Sequence, residues 1–363
     1  MNHLEEHFFT LLRSAIWDTT PQLSRNLSEK EWNDIYAISK EQTVSGIMID
    51  AIAKLPEAQK PPIKLRMQWI MLQKNIEARN AATNALLSSL ATTLTQRGIK
   101  TYLLKGQGVA LNYPTPSHRI CGDIDLFFLP NQFSKAMDFF NALGCEIEDN
   151  SEDSHAETEY NGIKIELHKK SASYYTRKLQ QRYNTITGNI LAKEQAIALI
   201  NGTKIGVLPP MANAFQLLSH MLRHIIFSGL GLRQICDWVL FIHKHHSNIN
   251  KEQFLAYAKE LQLLETYKAI TAIAIDYLGL PSQCAMCDIT PKDKQLAKKV
   301  LNLVMTYGNF GQYGEHSITG TKKEYLRAYI WKVKNCFRFR KLAGAEAWSY
   351  PLWQLHTIGK MAK

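Results

Sequence analysis

The most chemically suggestive stretch of this chain is 121–129, which opens with two carboxylates one residue apart, Asp123 and Asp125. Side chains alternate between the two faces of a strand, so these acids would point to the same face. Paired carboxylates suit hard divalent cations such as Mg²⁺ or Mn²⁺, which prefer oxygen ligands. On its own, the same spacing also fits solvated acids at a turn that starts a strand.

A third carboxylate, Glu166, lies in the alternating stretch Ile163–His168. Phosphoryl and nucleotidyl transfers develop negative charge on the attacking, bridging and leaving oxygens, and metal ions held by carboxylates neutralise that charge. Three acids brought together without a cation would repel one another. If the strands that carry Asp123, Asp125 and Glu166 are neighbours, the set therefore predicts a metal site.

A glycine turn, Lys105-Gly106, follows an apolar stretch upstream of these acids. Glycine at such a junction lets a phosphate approach backbone N–H groups at the start of a helix, and Lys105 could pair with that phosphate. Arg119, four positions before Asp123, is a candidate contact to a triphosphate. The alternative for Arg119 is an ordinary exposed arginine in a loop.

Two pairs of side chains share helical i, i+4 spacing further along the chain. His220 and His224 could form a zinc pair, but no Glu follows His220 as it does in the metalloprotease motif. We expect one or both histidines to line a cleft, with any other one buried in the core. Arg233 and Asp237 could simply pair on one helix.

The elements that must position these residues are alternating strands between two helical regions. The predicted strands are Thr101–Leu104, Asp123–Leu129, Glu157–Tyr160, Ile163–His168 and Thr203–Val207. Asn161-Gly162 is a strong hairpin signal between the third and the fourth. Helices intervene at about 107–112 and 132–143, and this order predicts an α+β domain with one sheet.

The flanking regions read as helical on both sides. Ser28 and Glu31 give a capping box near the start, and a long helical stretch leads directly into the first strand. We therefore expect an N-terminal helical region, 1–98, that packs on a sheet domain, 99–208. A C-terminal helical domain, 209–363, would follow.

Composition limits the class of protein. The chain has 363 residues, of which 45% are hydrophobic and 21% charged, so a globular protein with a sizeable core is expected. The net charge of +11 favours anionic partners such as nucleotide phosphates, nucleic acid or an acidic membrane surface, although many soluble proteins are basic without such a partner. The six scattered cysteines, a start unlike a secretory signal and the lack of a membrane-spanning run point to the cytoplasm.

A basic segment near the C-terminus, 322–341, carries eight bases, one acid and several interleaved aromatic residues. Such a helix could contact RNA or an anionic lipid surface. It could equally be a surface helix that packs by its aromatic side, which we favour slightly.

Taken together, these motifs resemble the uncharacterised nucleotidyltransferase family of the DNA polymerase β-like superfamily, whose relatives include kanamycin and lincosamide nucleotidyltransferases. The resemblance covers nearly the whole chain. The residues that carry it are Lys105-Gly106, Tyr113-Pro114, Arg119, Gly122–Leu126, Glu166-Leu167-His168, Leu217, His220, His224, Arg233 and Asp237.

The resemblance implies a small palm with a mixed sheet, and it implies roles for three groups of residues. The first group, the catalytic metal ligands, is Asp123, Asp125 and Glu166. The second group, which would bind the nucleotide, is Lys105, Gly106, Gln107, Arg119 and Gly122. The third group, on the acceptor side or supporting the site, is His168, His224, Arg233 and Asp237. Gln107 departs from the superfamily's small residue at its position in the phosphate turn.

The resemblance also implies a function: Mg²⁺-dependent (or Mn²⁺-dependent) transfer of NMP from an NTP to an acceptor hydroxyl, with release of pyrophosphate. ATP is among the expected donors, and a bacterial source is expected. The acceptor could be a small molecule, a peptide or protein, or RNA. The alternative is a catalytically degenerate protein of the same fold that binds nucleotide or a partner, which Gln107 favours and the three acids oppose.

Overall fold

The computed structural model describes residues 3–150, 155–309 and 322–361. Within these ranges the α-helices are α1 His3–Trp17, α2 Glu29–Glu41, α3 Ser45–Ala53, α4 Ile63–Gln96, α5 Gly106–Ala110, α6 Pro130–Ala142, α7 Arg177–Lys193, α8 Pro210–Phe227, α9 Leu232–His245, α10 Lys251–Glu260, α11 Leu264–Leu278, α12 Pro291–Tyr307, α13 Lys322–Arg338, α14 Arg340–Ala343 and α15 Glu346–Met361. The strands are β1 Thr101–Leu104, β2 Ile124–Phe128, β3 Ile147–Asn150, β4 His155–Tyr160, β5 Ile163–His168, β6 Ala196–Ile200 and β7 Thr203–Val207.

The described strands form one mixed sheet in the order β3-β4-β5-β2-β1-β7-β6. Strand β2 pairs antiparallel with β1 and parallel with β5, and β1 pairs parallel with β7. The predicted α+β class, with a small mixed sheet between two helical regions, is confirmed. All five predicted strands are present, with ends that shift by at most two residues.

Two strands were not predicted. Strand β3 is short and mostly polar, so its sequence lacks an apolar face. In strand β6 buried and exposed side chains alternate, but the exposed residues Ile197 and Leu199 are apolar as well. The sequence therefore shows no alternation between apolar and polar residues. In both cases the pattern that identifies a half-buried strand is missing.

Two Asn-Gly turns connect antiparallel strands. Asn161 and Gly162 have φ of 53° and 74° between β4 and β5, and Asn201 and Gly202 have φ of 49° and 77° between β6 and β7. Positive φ at both central residues matches the twist of a two-residue hairpin. The first hairpin was predicted and is confirmed, whereas the second carries the same signal and was missed.

Helix α7 was also missed, although its sequence contains a recognisable stripe. Its buried residues Leu179, Tyr183, Ile186 and Ile190 follow four-three-four spacing along one face. This is the same periodicity that predicted the neighbouring helices. The predicted capping box at the start of α2 is confirmed.

Hydrophobic side chains form two cores. The larger joins the N-terminal helices to the C-terminal ones, as shown by the ring contact between Phe9 and Tyr277, with centroids 5.4 Å apart. The smaller lies between the sheet and α6 together with the second half of α4. Because the larger core crosses both expected boundaries, 98/99 and 208/209, the three-domain division stays a proposal.

Helix α4 is the element that both cores share. Its first half gives Leu65 and Trp69 to the larger core, and its second half gives Leu87 and Leu94 to the smaller one.

In the described ranges no helix combines the length and the apolar character needed to cross a bilayer. The predicted basic segment includes α13, but its side chains at 322–326 and 328 lie outside the described residues.

Asn80, on α4, ties this helix to the loop that leads into β2. It is only 2% exposed, and its Nδ2 donates to the carbonyl oxygens of Ser117 at 2.7 Å and Arg119 at 2.8 Å. Its Oδ1 accepts from Nε2 of Gln107 at 3.2 Å. One buried amide therefore fixes both the turn after β1 and the approach to the acidic strand.

We expect Asn80→Leu to destabilise the protein, because it leaves two carbonyl oxygens and one amide without partners in a buried place. The free energy of unfolding should fall by about 3 kcal/mol, measured by urea denaturation. Asn75→Leu changes an exposed asparagine of the same helix and should cost less than about 0.5 kcal/mol. Equal losses in the two variants would show that Asn80 does not hold this loop.

Candidate active site

The strand register brings the three predicted acids together. Asp125 lies directly beside Glu166 across the parallel pair β2–β5, and Asp123 immediately precedes β2. Since alternate residues share a face, Asp123, Asp125, Glu166 and His168 all lie on one side of the sheet. We refer to these four residues as the acidic cluster.

Two basic side chains compensate the carboxylates of the acidic cluster. Asp125 is 3% exposed, and its Oδ1 lies 2.9 Å from Nζ of Lys105 and 2.8 Å from Nε2 of His168. The same imidazole nitrogen is 3.2 Å from Oε2 of Glu166. Asp123 and Glu166 are joined by a hydrogen bond between their carboxyl groups. The acids are therefore held in one network and do not face each other uncompensated.

Proton affinities differ within this network. Burial, followed by the charges of Asp125 and Glu166, raises the pKa of Asp123 to about 6. Burial also raises the pKa of Asp125, but the charge of Lys105 and the hydrogen bond from His168 outweigh it and hold that pKa below its ordinary value. The pKa of Glu166 is likewise held low, because His168 and Lys105 together overcome its burial. Asp123 is thus the carboxyl of the cluster that most readily holds a proton.

The two basic side chains beside these acids, Lys105 and His168, have raised pKa values. Burial lowers the pKa of Lys105, but the charge of Asp125 dominates in combination with Glu166 and Asp123, so the pKa lies above its ordinary value. The pKa of His168 is raised because its hydrogen bonds to Asp125 and Glu166 overcome its burial. Both bases are therefore stabilised in their charged forms.

The donor set fits a divalent cation. Ligand atoms of Asp125, Glu166 and His168 lie within 4.8 Å of one another, and so do those of His155, Glu157 and Glu166. Carboxylate oxygens suit Mg²⁺ or Mn²⁺, and an imidazole nitrogen suits transition metals. A bound cation would provide the positive charge that Lys105 and His168 now give to these carboxylates.

The glycine turn has an unusual backbone. Lys105 has φ 45° and ψ −141°, and Gly106 has φ 40°. A non-glycine residue at positive φ costs on the order of 1–3 kcal/mol and persists where the surroundings fix it, often at functional sites. Here the ion pair with Asp125 and the start of α5 hold Lys105 in place.

Gln107, which departs from the small residue that the superfamily resemblance implies, does not occupy the open side of this turn. Its side chain is buried and donates to Asn80. The departure therefore serves the packing of the turn against α4.

Arg119 is not an exposed loop residue, and it lines a cavity beside the glycine turn. It is 5% exposed, and its Nε and Nη2 donate to the carboxylate of Asp237 at 2.7 and 2.6 Å. Its Nη1 lies 3.1 Å from Sγ of Cys121, and the hydroxyl of Tyr113 donates to the same Asp237 at 2.7 Å. The structure thus pairs Asp237 with Arg119, not with Arg233, and this buried pair fixes the loop before the acidic strand.

Arg233 reaches the same cavity beside the glycine turn as Arg119 does. Its Nη1 donates to the carbonyl of Ile120 at 2.6 Å, while its Nε is buried and has no hydrogen-bond partner among the described residues. Burial and then the charge of Arg119 lower its pKa. Arg233 lines a cavity of about 200 Å³, which we call the turn-side cavity, with Gly106, Gly122 and Asp123.

A larger cavity of about 460 Å³, the outer cavity, meets the turn-side cavity at the acidic cluster. Lys105, Glu166 and His220 line both. One face of α8 provides much of the wall of the outer cavity, through Gln216, Ser219, His220, Arg223, His224 and Phe227. Glu166 therefore lies where the two cavities meet, whereas the two aspartates of the cluster line the turn-side cavity alone.

The histidine pair on α8 lies in this wall. The Nε2 atoms of His220 and His224 are 3.1 Å apart, and Nδ1 of His224 is 2.7 Å from Oγ of Ser228. Burial, followed by the charge of Lys105, lowers the pKa of both, that of His224 to about 3. Both neutral rings line the outer cavity, as predicted, and the possible metal-holding groups among the described residues do not include them.

Sequence reasoning missed most residues of the outer cavity. The polar stripe of α8 at three- and four-residue spacing was a usable signal for Gln216 and Arg223. Lys332, Tyr350 and Trp353 also line the cavity but come from the C-terminal helices, and no local pattern connects them with the acids.

Comparison with known proteins gives a family and a distant structural likeness. A family model described as "Uncharacterised nucleotidyltransferase" matches residues 28–279. An antigenic nucleotidyltransferase-like protein from Paracoccidioides brasiliensis is structurally similar at 16% identity and a TM-score of 0.31, over 44% of this chain and 74% of that one. No curated protein matches the chain.

Because the pKa of Asp123 is raised to about 6, its folded form keeps a proton that the unfolded chain loses at lower pH. The contribution of Asp123 to the free energy of unfolding should therefore fall as pH rises from about 4 to about 6, and comparison with Asp123→Asn isolates it from the contributions of other groups. A divalent cation would replace that proton, so the rise in Tm caused by Mg²⁺ should be larger at about pH 7.5 than at about pH 5. Scanning fluorimetry measures both, and Asp123→Asn should remove most of the difference. An equal Mg²⁺ shift at the two pH values would contradict this assignment.

Asp237→Asn should be strongly destabilising, because it leaves the buried guanidinium of Arg119 without its carboxylate. The loss should be about 3–5 kcal/mol in urea unfolding. Asp276→Asn breaks a partly exposed pair with Lys294, at 2.8 Å, and should cost less than about 1 kcal/mol. If the two losses are similar, the Arg119–Asp237 pair is not the support described above.

Proposed function

We propose that this chain, which belongs to the uncharacterised nucleotidyltransferase family, is a divalent-metal-dependent enzyme that transfers an NMP group from an NTP to an acceptor hydroxyl. The observation that carries the proposal is the register of β2 with β5, which sets Asp125 beside Glu166 with Asp123 on the same face. Three acids that line the turn-side cavity, one of which, Glu166, also lines the outer cavity, are an arrangement suited to this chemistry.

In the proposed site, Asp123, Asp125 and Glu166 hold Mg²⁺ or Mn²⁺. Such a cation would neutralise the negative charge that develops on the phosphate oxygens. His168 supports the carboxylates, since its Nε2 lies within hydrogen-bonding distance of both Asp125 and Glu166.

In this proposal the triphosphate binds in the turn-side cavity. Three basic side chains line it, those of Lys105, Arg119 and Arg233, and Arg119 is already paired with Asp237. The Nε of Arg233 has no hydrogen-bond partner among the described residues, and a phosphate oxygen would satisfy this donor. Gly122 leaves open space at its position, because a Cβ built there meets no atom within 4 Å. Arg119 acts indirectly: together with Asp237 it fixes the loop before the acidic strand.

The acceptor enters from the outer cavity. Its hydroxyl oxygen forms a bond to the α-phosphorus as the bond from that phosphorus to the bridging oxygen breaks. Pyrophosphate leaves with the bonding electrons, and the proton of the hydroxyl passes to the carboxylates of the acidic cluster. The protein's contribution is alignment and charge compensation, which account for most catalysis in phosphoryl transfer.

A catalytically degenerate nucleotide-binding protein was the alternative, and Gln107 was the residue that favoured it. With its side chain hydrogen-bonded to Asn80, Gln107 no longer supports that alternative. Contact with nucleic acid through 322–341 remains a prediction, although Lys332 of this segment lines the outer cavity.

The test is label transfer from α-³²P-labelled NTPs, incubated with the protein, Mg²⁺ and a cell extract. Wild type should label one species or a small set, and Asp125→Asn should reduce that label by more than about 100-fold, since the loss of a ligand exceeds the 10–100-fold typical of its supporting partners. Glu159→Gln alters an exposed acid of β4, on the same sheet, and should leave the label unchanged. Transfer that persists in Asp125→Asn would refute the site, and no transfer with any NTP would refute the reaction.

A further inference from the structure

Three basic side chains outside the acidic cluster line the outer cavity, in addition to Lys105. Lys170, Arg223 and Lys332 line it from three different segments, and Glu166 is the only carboxylate among the described residues that line it. Burial and the nearby charge of Arg223 lower the pKa of Lys332, which means that these two cations oppose each other. An anionic group between them would relieve that repulsion.

One side of the same cavity is aromatic. Tyr175 makes ring contacts with Phe227, Tyr350 and Trp353 at centroid distances of 5.3, 5.0 and 4.9 Å. Phe227 and Tyr350 are themselves 3.9 Å apart. These four rings line the cavity and offer a surface on which a planar ring can stack.

A polar atom in the wall lacks a partner. Gln216 is 2% exposed, and its Oε1 has no hydrogen-bond partner among the described residues. A buried acceptor oxygen of this kind costs stability unless a donor reaches it. A hydroxyl or amine of a bound molecule would be such a donor.

Part of this cavity is built by helices outside the region that defines the family. The family match ends at 279, whereas Lys332 lies on α13 and both Tyr350 and Trp353 lie on α15. The triphosphate side, by contrast, consists of residues within 28–279. The C-terminal helices thus add a cation and two rings to the acceptor side alone.

Building on the proposed function, we propose that the acceptor is a small hydroxylated molecule that carries both a planar ring and an anionic group such as a phosphate or a carboxylate. The anion lies among Lys170, Arg223 and Lys332, the ring lies against the aromatic wall, and Gln216 accepts a hydrogen bond. The volume of about 460 Å³ fits a single molecule of drug-like size. The C-terminal helices determine which acceptor is used.

Phenyl phosphate tests this class, because it has the ring and the dianion but no acceptor hydroxyl. Calorimetry on the full chain should show binding to wild type, and binding about tenfold weaker to Lys332→Gln, since a charged hydrogen bond is lost. Lys334→Gln changes an exposed lysine two residues along the same helix and should bind as wild type does. Trp353→Leu should weaken binding, and benzyl alcohol, which lacks the charge, should bind less tightly than phenyl phosphate.

A second titration, in the presence of Mg²⁺ and a non-hydrolysable ATP analogue, separates acceptor from donor. If the outer cavity is the acceptor's, the affinity for phenyl phosphate should change by less than about threefold, because the two ligands occupy different spaces. Competition between them would assign the cavity to the nucleotide and overturn the proposal, and so would equal binding by wild type and Lys332→Gln. If a short oligoribonucleotide binds more tightly than phenyl phosphate, and Lys332→Gln abolishes that binding, the acceptor would be an RNA end and not a small molecule.

The two proposals fail in different experiments. A wild-type protein that binds phenyl phosphate through Lys332 but transfers no label would contradict the reaction and leave the ligand class standing. Label transfer that is the same in wild type, Lys332→Gln and Trp353→Leu would contradict the ligand class and leave the reaction standing.

Discussion

The structure depends on one electrostatic constraint: carboxylates gathered on one face of the sheet, with the most buried of them at Asp125, need positive charge beside them. Lys105 and His168 do this for Asp125, and His168 also serves Glu166. That need explains the backbone at Lys105, whose positive φ would be unfavourable in a turn without such a partner. It also explains why the acids differ in proton affinity, with Asp123 least compensated and most easily protonated.

Around this cluster, a second layer of buried polar contacts fixes the chain that delivers the acids. Asn80 holds two carbonyls of the loop before β2, and the Arg119–Asp237 pair ties the same loop to α9. These groups do not enter the proposed chemistry. They matter because a carboxylate cluster tolerates little displacement. In addition, a buried ion pair or amide that loses one partner leaves an unpaired polar group, which lowers the free energy of unfolding.

Local patterns predicted the residues of the acidic cluster, and contacts distant in sequence decided how the residues around it are arranged. The period of two in β2 and β5 placed the acids on shared faces, and the Asn161-Gly162 turn and the capping box at Ser28 were readable for the same local reason. Arg119 could not be placed from sequence, because its partner Asp237 lies 118 residues away. Lys332 and Trp353 reach the outer cavity from the C-terminal helices, for which no nearby residue gives a signal. Helix α7 and the second Asn-Gly turn, by contrast, carry local signals of the same kind in their own sequence.

Helix α4 joins two hydrophobic cores with 34 continuous residues, a length of about 51 Å at 1.5 Å per residue. Its first half packs against other helices through Leu65 and Trp69, and its second half packs against the sheet, with Asn80 between them. Loss of either core would strip one half of this helix of the packing that keeps it folded, and would weaken the other half in turn. The helices and the sheet should therefore melt together in a single cooperative transition rather than one after the other.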